Sequence, residues 1–177
     1  MNIAVWCASQ PGNDPAFAEA AARLGAAIAG RGHNLVYGGS KGGLMGTVAG
    51  ACLNAGGTVT GITVNVPRII AERHPGLTLL ETTPTLIARK ARMIELADAF
   101  VALPGGPGTF DEIGDVITLL RAGVSTKPVA LINVNGFYDP LAELFARMVR
   151  DGVADGSDFE KVLVSAEIDE ALDFIGA

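Results

Sequence analysis

Hydrophobic positions along the chain form short unbroken runs that alternate with stretches where they recur every three or four residues. The runs at 3–8, 35–37, 59–64, 77–80, 99–103, 128–134 and 162–164 predict buried strands. Between them, Phe17, Ala21, Leu24 and Ile28 mark the inner face of a first helix. Asn13 or Asp14 caps it, Pro15 takes its first position, and the glycines at 30–32 end it. Leu44, Val48 and Leu53 mark a second helix, and a third runs from 85 to 97. Helices also follow at 138–150, with Leu141, Leu144, Phe145 and Met148 inward, and at 168–175. Residues 65–75, with two prolines and mixed charge, read as a loop or lid. Alternating strands and helices call for an α/β fold, a doubly wound parallel sheet with helices on both faces. No linker or repeat divides residues 1–177, so one domain is expected.

The most informative stretch is 99–120. Its strand breaks at Pro104-Gly105-Gly106-Pro107-Gly108 and resumes beyond Thr109 with Ile113, Val116, Ile117 and Leu120 at helical spacing. A glycine-rich turn between strand and helix aims backbone N–H groups and the positive end of a helix dipole at one spot, which suits a phosphate. Glu112, one turn further, would repel a phosphate and so should reach another part of the same ligand. Thr109 and Glu112 also fit a capping box, in which threonine caps the helix and glutamate bonds back to it. A second glycine-rich turn, at 38–43, follows another strand. Both turns should open on the same sheet edge, which favours an extended phosphorylated ligand.

On the helix at 85–97, Leu86, Met93 and Ala97 define an apolar stripe, with Arg92 and Glu95 on the outer side. Arg89 and Lys90 lie three and four residues after Leu86, so they flank or enter the stripe. Buried cations need an anion, unless both stems snorkel to water.

Composition narrows the partners. Half the 177 residues (49%) are hydrophobic and the net charge is −6, which argues against nucleic acid or an anionic membrane as main partner. The two cysteines, Cys7 and Cys52, point to a reduced, cytoplasmic setting. No apolar run reaches membrane-spanning length and no signal-peptide pattern opens the sequence. His33 and His74 read as surface residues and lack partners at metal-ligand spacing, so no metal is expected. The serine-hydrolase elbow is missing.

The Pro104–Glu112 stretch, read as Pro-Gly-Gly-x-Gly-Thr-x-x-Glu, resembles the signature of the Lonely Guy (LOG) family of cytokinin riboside 5′-monophosphate phosphoribohydrolases, often labelled lysine decarboxylases. The resemblance extends to the Pro11–Pro15 run, to Tyr37–Gly46, to Arg89-Lys90-x-x-Met93 and to Lys127-Pro128-Val129. It implies a Rossmann-like homodimer, with its site near the dimer interface, that hydrolyses the N-glycosidic bond of N6-substituted AMP. The products would be an adenine-type base and ribose 5-phosphate, with no cofactor. By motif, Arg89 and Glu112 match the family's catalytic pair. Lys90, Gly105, Gly106, Pro107, Gly108, Thr109 and Thr118 match positions of its nucleotide site, joined by Gly39, Ser40 and Met45 of the earlier segment. The chain has Ile87-Ala88 where the family has His-Glu, and Cys7-Ala8-Ser9-Gln10 where it has Cys-Gly-Ser-Ser, departures that bear on substrate preference. Two rival readings follow from the same residues. One is a non-catalytic nucleotide or molybdenum-cofactor carrier of the same fold. The other is lysine decarboxylation, which needs pyridoxal phosphate.

Overall fold

A computed structural model describes all residues, Met1–Ala177. Seven strands form one sheet in the order β4-β3-β2-β1-β5-β6-β7, with every neighbouring pair parallel. The strands are β1 Asn2–Trp6, β2 Asn34–Tyr37, β3 Val59–Val64, β4 Leu79–Thr83, β5 Ala99–Ala102, β6 Val129–Ile132 and β7 Val162–Ser165. The helices are α1 Pro15–Gly30, α2 Gly43–Asn54, α3 Pro67–Ala71, α4 Leu86–Leu96, α5 Pro107–Arg121, α6 Asp139–Arg150 and α7 Ile168–Phe174. This is the Rossmann-like α/β architecture. The inner strands are buried on both faces, which is why their sequences read as continuous apolar runs.

The two faces carry separate cores. One unites Ala21, Leu24 and Ile28 of α1 with Leu44, Val48 and Cys52 of α2 and Leu172 of α7. The other unites Met93 of α4 and Ile113 and Val116 of α5 with Trp6 and Phe100, whose rings stack with centroids 5.0 Å apart. The cap of α1 is Asp14, which accepts from the Ala16 N–H, with Pro15 at the first position. No helix is long and apolar enough to cross a membrane.

Several elements depart from the sequence reading. The 65–75 segment contains the short helix α3, which Pro67 starts with its preset backbone angle. Strand β4 lies two to three residues later than the apolar run, at the sheet edge, where Leu79 and Leu80 face water and alternation carries little information. Leu86 does not extend the stripe of α4: it is exposed, as is Ile87. Helix α6 buries no residue fully, and Leu144 is exposed. His33 and His74 are half-buried rather than surface residues.

The topology fixes where a ligand can bind. The chain leaves β1 toward β2 on one side and leaves β5 toward β6 on the other. Their connections therefore diverge, and a crevice opens beyond the carboxyl ends of β1 and β5.

Candidate active site

A cavity of about 760 Å³ fills that crevice. Its walls come from the end of β1 (Trp6 to Pro11), the turn between β2 and α2, helix α3, and the first turn of α5. Four charged residues line it: Arg68, Glu72, Arg89 and Glu112.

The α5 turn is built as the glycine pattern suggests, but its helix begins earlier than expected. Gly106 is the N-cap and Pro107 the first helical residue, so Thr109 already lies inside the helix. The capping-box reading of Thr109 and Glu112 therefore fails: α5 has no side-chain cap. Proline lacks an N–H and fits the first position, which moves the helix start two residues upstream of Thr109. The first helical bond runs from Phe110 N–H to Gly106 C=O at 3.1 Å, leaving the N–H groups of Gly108 and Thr109 ahead of it. Thr109 is buried and folds over Gly105, where an added Cβ would lie 2.1 Å from its Oγ1. Only glycine permits that approach.

Freed from the cap, Glu112 faces Arg89 of α4. Arg89 Nη1 and Glu112 Oε1 are 3.7 Å apart, with 16% and 12% of their side chains exposed. Arg89 Nε donates to the Ile62 carbonyl at 2.7 Å, and its other nitrogen lies over Gly38, where a Cβ would meet it at 1.9 Å. The guanidinium is thus held by the end of β3 and by the glycine turn after β2. Burial dominates the electrostatics. It pushes the Glu112 carboxyl up to about 7, against the smaller opposing pull of Arg89, while Asp111 and Asp115 push it further. Burial likewise lowers Arg89 below its usual range, with Glu112 partly offsetting this. A loose ion pair does not repay desolvation of both partners. Nearby Cys7 is raised by burial and by the charge of Glu112, which keeps it a neutral thiol.

Of the residues singled out in the sequence, the cavity is lined by Arg89, Glu112, Gly106, Pro107, Gly108, Thr109, Ser40 and Met45. Gly38, rather than Gly39, lines it from the second turn. Gly105 lies on the far side of its loop, against a second groove of about 350 Å³ formed with Phe110, Phe137 and Leu141. Lys90 binds Asp111 and Asp115 on the outer surface of α5, both at 2.7 Å. Thr118 is exposed two turns further along α5.

The comparisons with known proteins fit this geometry. The family model described as "Possible lysine decarboxylase" matches residues 45–175. The cytokinin riboside 5′-monophosphate phosphoribohydrolase of Rhodococcoides fascians is 39% identical, covering 97% of this chain and 87% of the relative. Its namesake LOG2 from Arabidopsis thaliana is 42% identical, covering 93% of this chain and 76% of the relative. The chain belongs to the LOG family. Solved structures of similar fold include TM1055, at 25% identity and a TM-score of 0.77, covering 99% of this chain and 98% of that one. Another is the molybdenum cofactor carrier protein of Chlamydomonas reinhardtii, at 24% identity and a TM-score of 0.75, with 99% and 95% covered.

The LOG signature does not include the α3 wall of the cavity. Val66, Arg68, Ile69 and Glu72 all line it. Their apolar and charged residues follow no period over so short a helix, so the sequence carried no signal beyond the suggestion of a lid. Ser9, Gln10 and Pro11 also line it, at the segment where the chain departs from the family's Cys-Gly-Ser-Ser.

Proposed function

We propose that this LOG protein hydrolyses the N-glycosidic bond of N6-substituted adenosine 5′-monophosphate, releasing the free base and ribose 5-phosphate. The observation that carries the reading is the buried Arg89–Glu112 pair beside an open helix N-terminus in one cavity. The 5′-phosphate sits on the Gly106–Thr109 turn, where N–H groups and the helix dipole favour an anion. Its binding energy holds the ribose against Glu112. Breaking the C1′–N9 bond develops positive charge on the sugar, which a carboxylate stabilises. Glu112 takes a proton from the attacking water, whose oxygen bonds to C1′ as the electron pair leaves with the base. The base nitrogen gains a proton, so the sum is the addition of one water. A carboxyl raised to about 7 is tuned for proton transfer at neutral pH. Arg89 orients the carboxylate and favours its charged form.

Incubation of the purified protein with AMP and isopentenyl-AMP, with free base read by chromatography, tests the reading. Base from either supports it, and their rate ratio separates a cytokinin substrate from plain AMP. Two bound but intact nucleotides would favour the carrier reading, which the fold shared with molybdenum cofactor carriers keeps in view. A carrier, however, has no evident use for a buried carboxylate beside the sugar position. Decarboxylation of lysine lacks its central residue here, because no lysine lines the cavity to hold pyridoxal phosphate.

The functional unit in this reading is a homodimer. Leu86 and Ile87 of α4 and Phe110 of α5 are 53%, 77% and 59% exposed, an unusual apolar display that a second copy would cover. Two unpaired cysteines, both buried, accord with a reducing, cytoplasmic compartment.

A further inference from the structure

The cavity holds two cations, and only one is free. Arg89 is committed to the Ile62 carbonyl, to Glu112 and to its seat over Gly38. Arg68, on α3, lines the same cavity and makes no ion pair or side-chain hydrogen bond. An isolated exposed arginine is ordinarily just a solvated charge. This one stands on a segment whose position is fixed. The Lys41 N–H donates to the Glu72 carbonyl at 2.7 Å, and Lys41 Nζ donates to the Ala71 carbonyl at 3.0 Å. The His74 N–H donates to the Gly39 carbonyl at 2.9 Å, and Ser40 and Arg73 pair as an isolated bridge. Helix α3 is thereby stitched to the glycine turn that forms the adjacent wall.

The electrostatics of the site leave a need for such a group. A phosphate monoester brings up to two negative charges into a cavity that already contains Glu112 and Glu72. The N–H groups of the α5 turn meet one side of it. Strand order places α3, which follows β3, and α5, which follows β5, on opposite sides of the carboxyl end of β1. A guanidinium from α3 would therefore approach from the side the glycine loop cannot cover, and its planar fork suits two phosphate oxygens.

We propose that Arg68 is the phosphate clamp of this site, closing from α3 onto the 5′-phosphate held by the α5 turn. This rests on the nucleotide reading above and adds a specificity residue outside the family signature. Arg68 recognises the phosphate and takes no part in bond breaking.

The test compares ligands with and without the phosphate, in proteins with and without the guanidinium. In wild type, Arg68→Gln should raise KM for AMP about tenfold with little change in kcat, and Arg68→Lys should recover part of the loss. AMP and adenosine are then titrated calorimetrically into Glu112→Gln and Glu112→Gln/Arg68→Gln proteins, which leave the ligand intact. The preference for AMP over adenosine should shrink about tenfold in the double variant, with adenosine affinity unchanged. Equal weakening of both ligands, or of neither, overturns the clamp even if wild type hydrolyses AMP normally. Absence of base release from wild type would overturn the hydrolase reading instead, and the AMP-to-adenosine ratio still decides the role of Arg68. Because Arg68 is exposed, unchanged thermal unfolding of Arg68→Gln is expected and checks that the variant folds.

Discussion

On one face of the sheet, α1 and α2 pack so closely that a Cβ on Gly25 would lie 2.2 Å from the Val48 carbonyl oxygen. Together with α7 they close over a core of 23 buried residues. On the other face the core holds 13. There α4 fully buries only Met93, α6 buries nothing, and Leu86, Ile87 and Phe110 face outward. Both members of the buried ion pair, Arg89 and Glu112, come from this looser face. Helices α1, α2 and α7 contribute apolar packing and no charged group to the cavity. The difference separates two uses of burial: on one face it stabilises the fold, and on the other it raises the energy of the Glu112 carboxylate, the group proposed above to act on the substrate.

Substitutions can break that contrast. The largest effect should come from Glu112→Gln, which is expected to lower kcat by about a thousandfold while AMP still binds. Steady-state kinetics beside a binding titration measure both. An equal loss of binding would mean that Glu112 holds the ligand rather than acting on it. On the opposite face, Leu24→Ala removes a fully buried side chain and should cost about 3 kcal/mol of stability. Activity per folded molecule should not change, and urea unfolding with an active-fraction assay reads both quantities.

Stability against pH sharpens the comparison. The Glu112 carboxyl rises from 4.5 to about 7 on folding, so between these values the native state keeps a proton that the unfolded chain has lost. Stability should therefore fall as pH rises from about 4.5 to about 7, by about 3 kcal/mol from this group. In Glu112→Gln that fall disappears, making the variant the more stable protein at pH 8 and nearly equal to wild type at pH 4. A wild type that is the more stable at pH 8 would show that the pair with Arg89 outweighs desolvation. The smallest effect on the fold belongs to Ile87→Asp, which should change monomer stability by no more than about 0.5 kcal/mol. It should nevertheless convert the proposed homodimer to monomer in sedimentation, because the new charge would be buried in the proposed interface.

Apart from α3, which reads as a loop, the alternation of strands and helices was legible, down to β3, a first-helix cap at Asn13 or Asp14 (Asp14 in the structure) and the order of the two glycine turns. Buried parallel strands and a proline-led helix leave strong local marks. The edges were less legible. Leu79, Leu80, Leu86 and Leu144 are apolar residues on the surface, and an apolar residue by itself does not say whether anything covers it.

The sequence by itself determined the family and the glycine-rich turn between β5 and α5, and it marked Arg89 and Glu112 as candidates, because these depend on residue types at fixed local spacing. Only the tertiary structure decided that Thr109 and Glu112 form no cap, since one proline moves the helix start. It also turned Lys90 outward to two aspartates and brought α3, with Arg68, to the cavity wall. Those outcomes depend on which residues distant in sequence become neighbours in space, and that is set by the order of strands in the sheet.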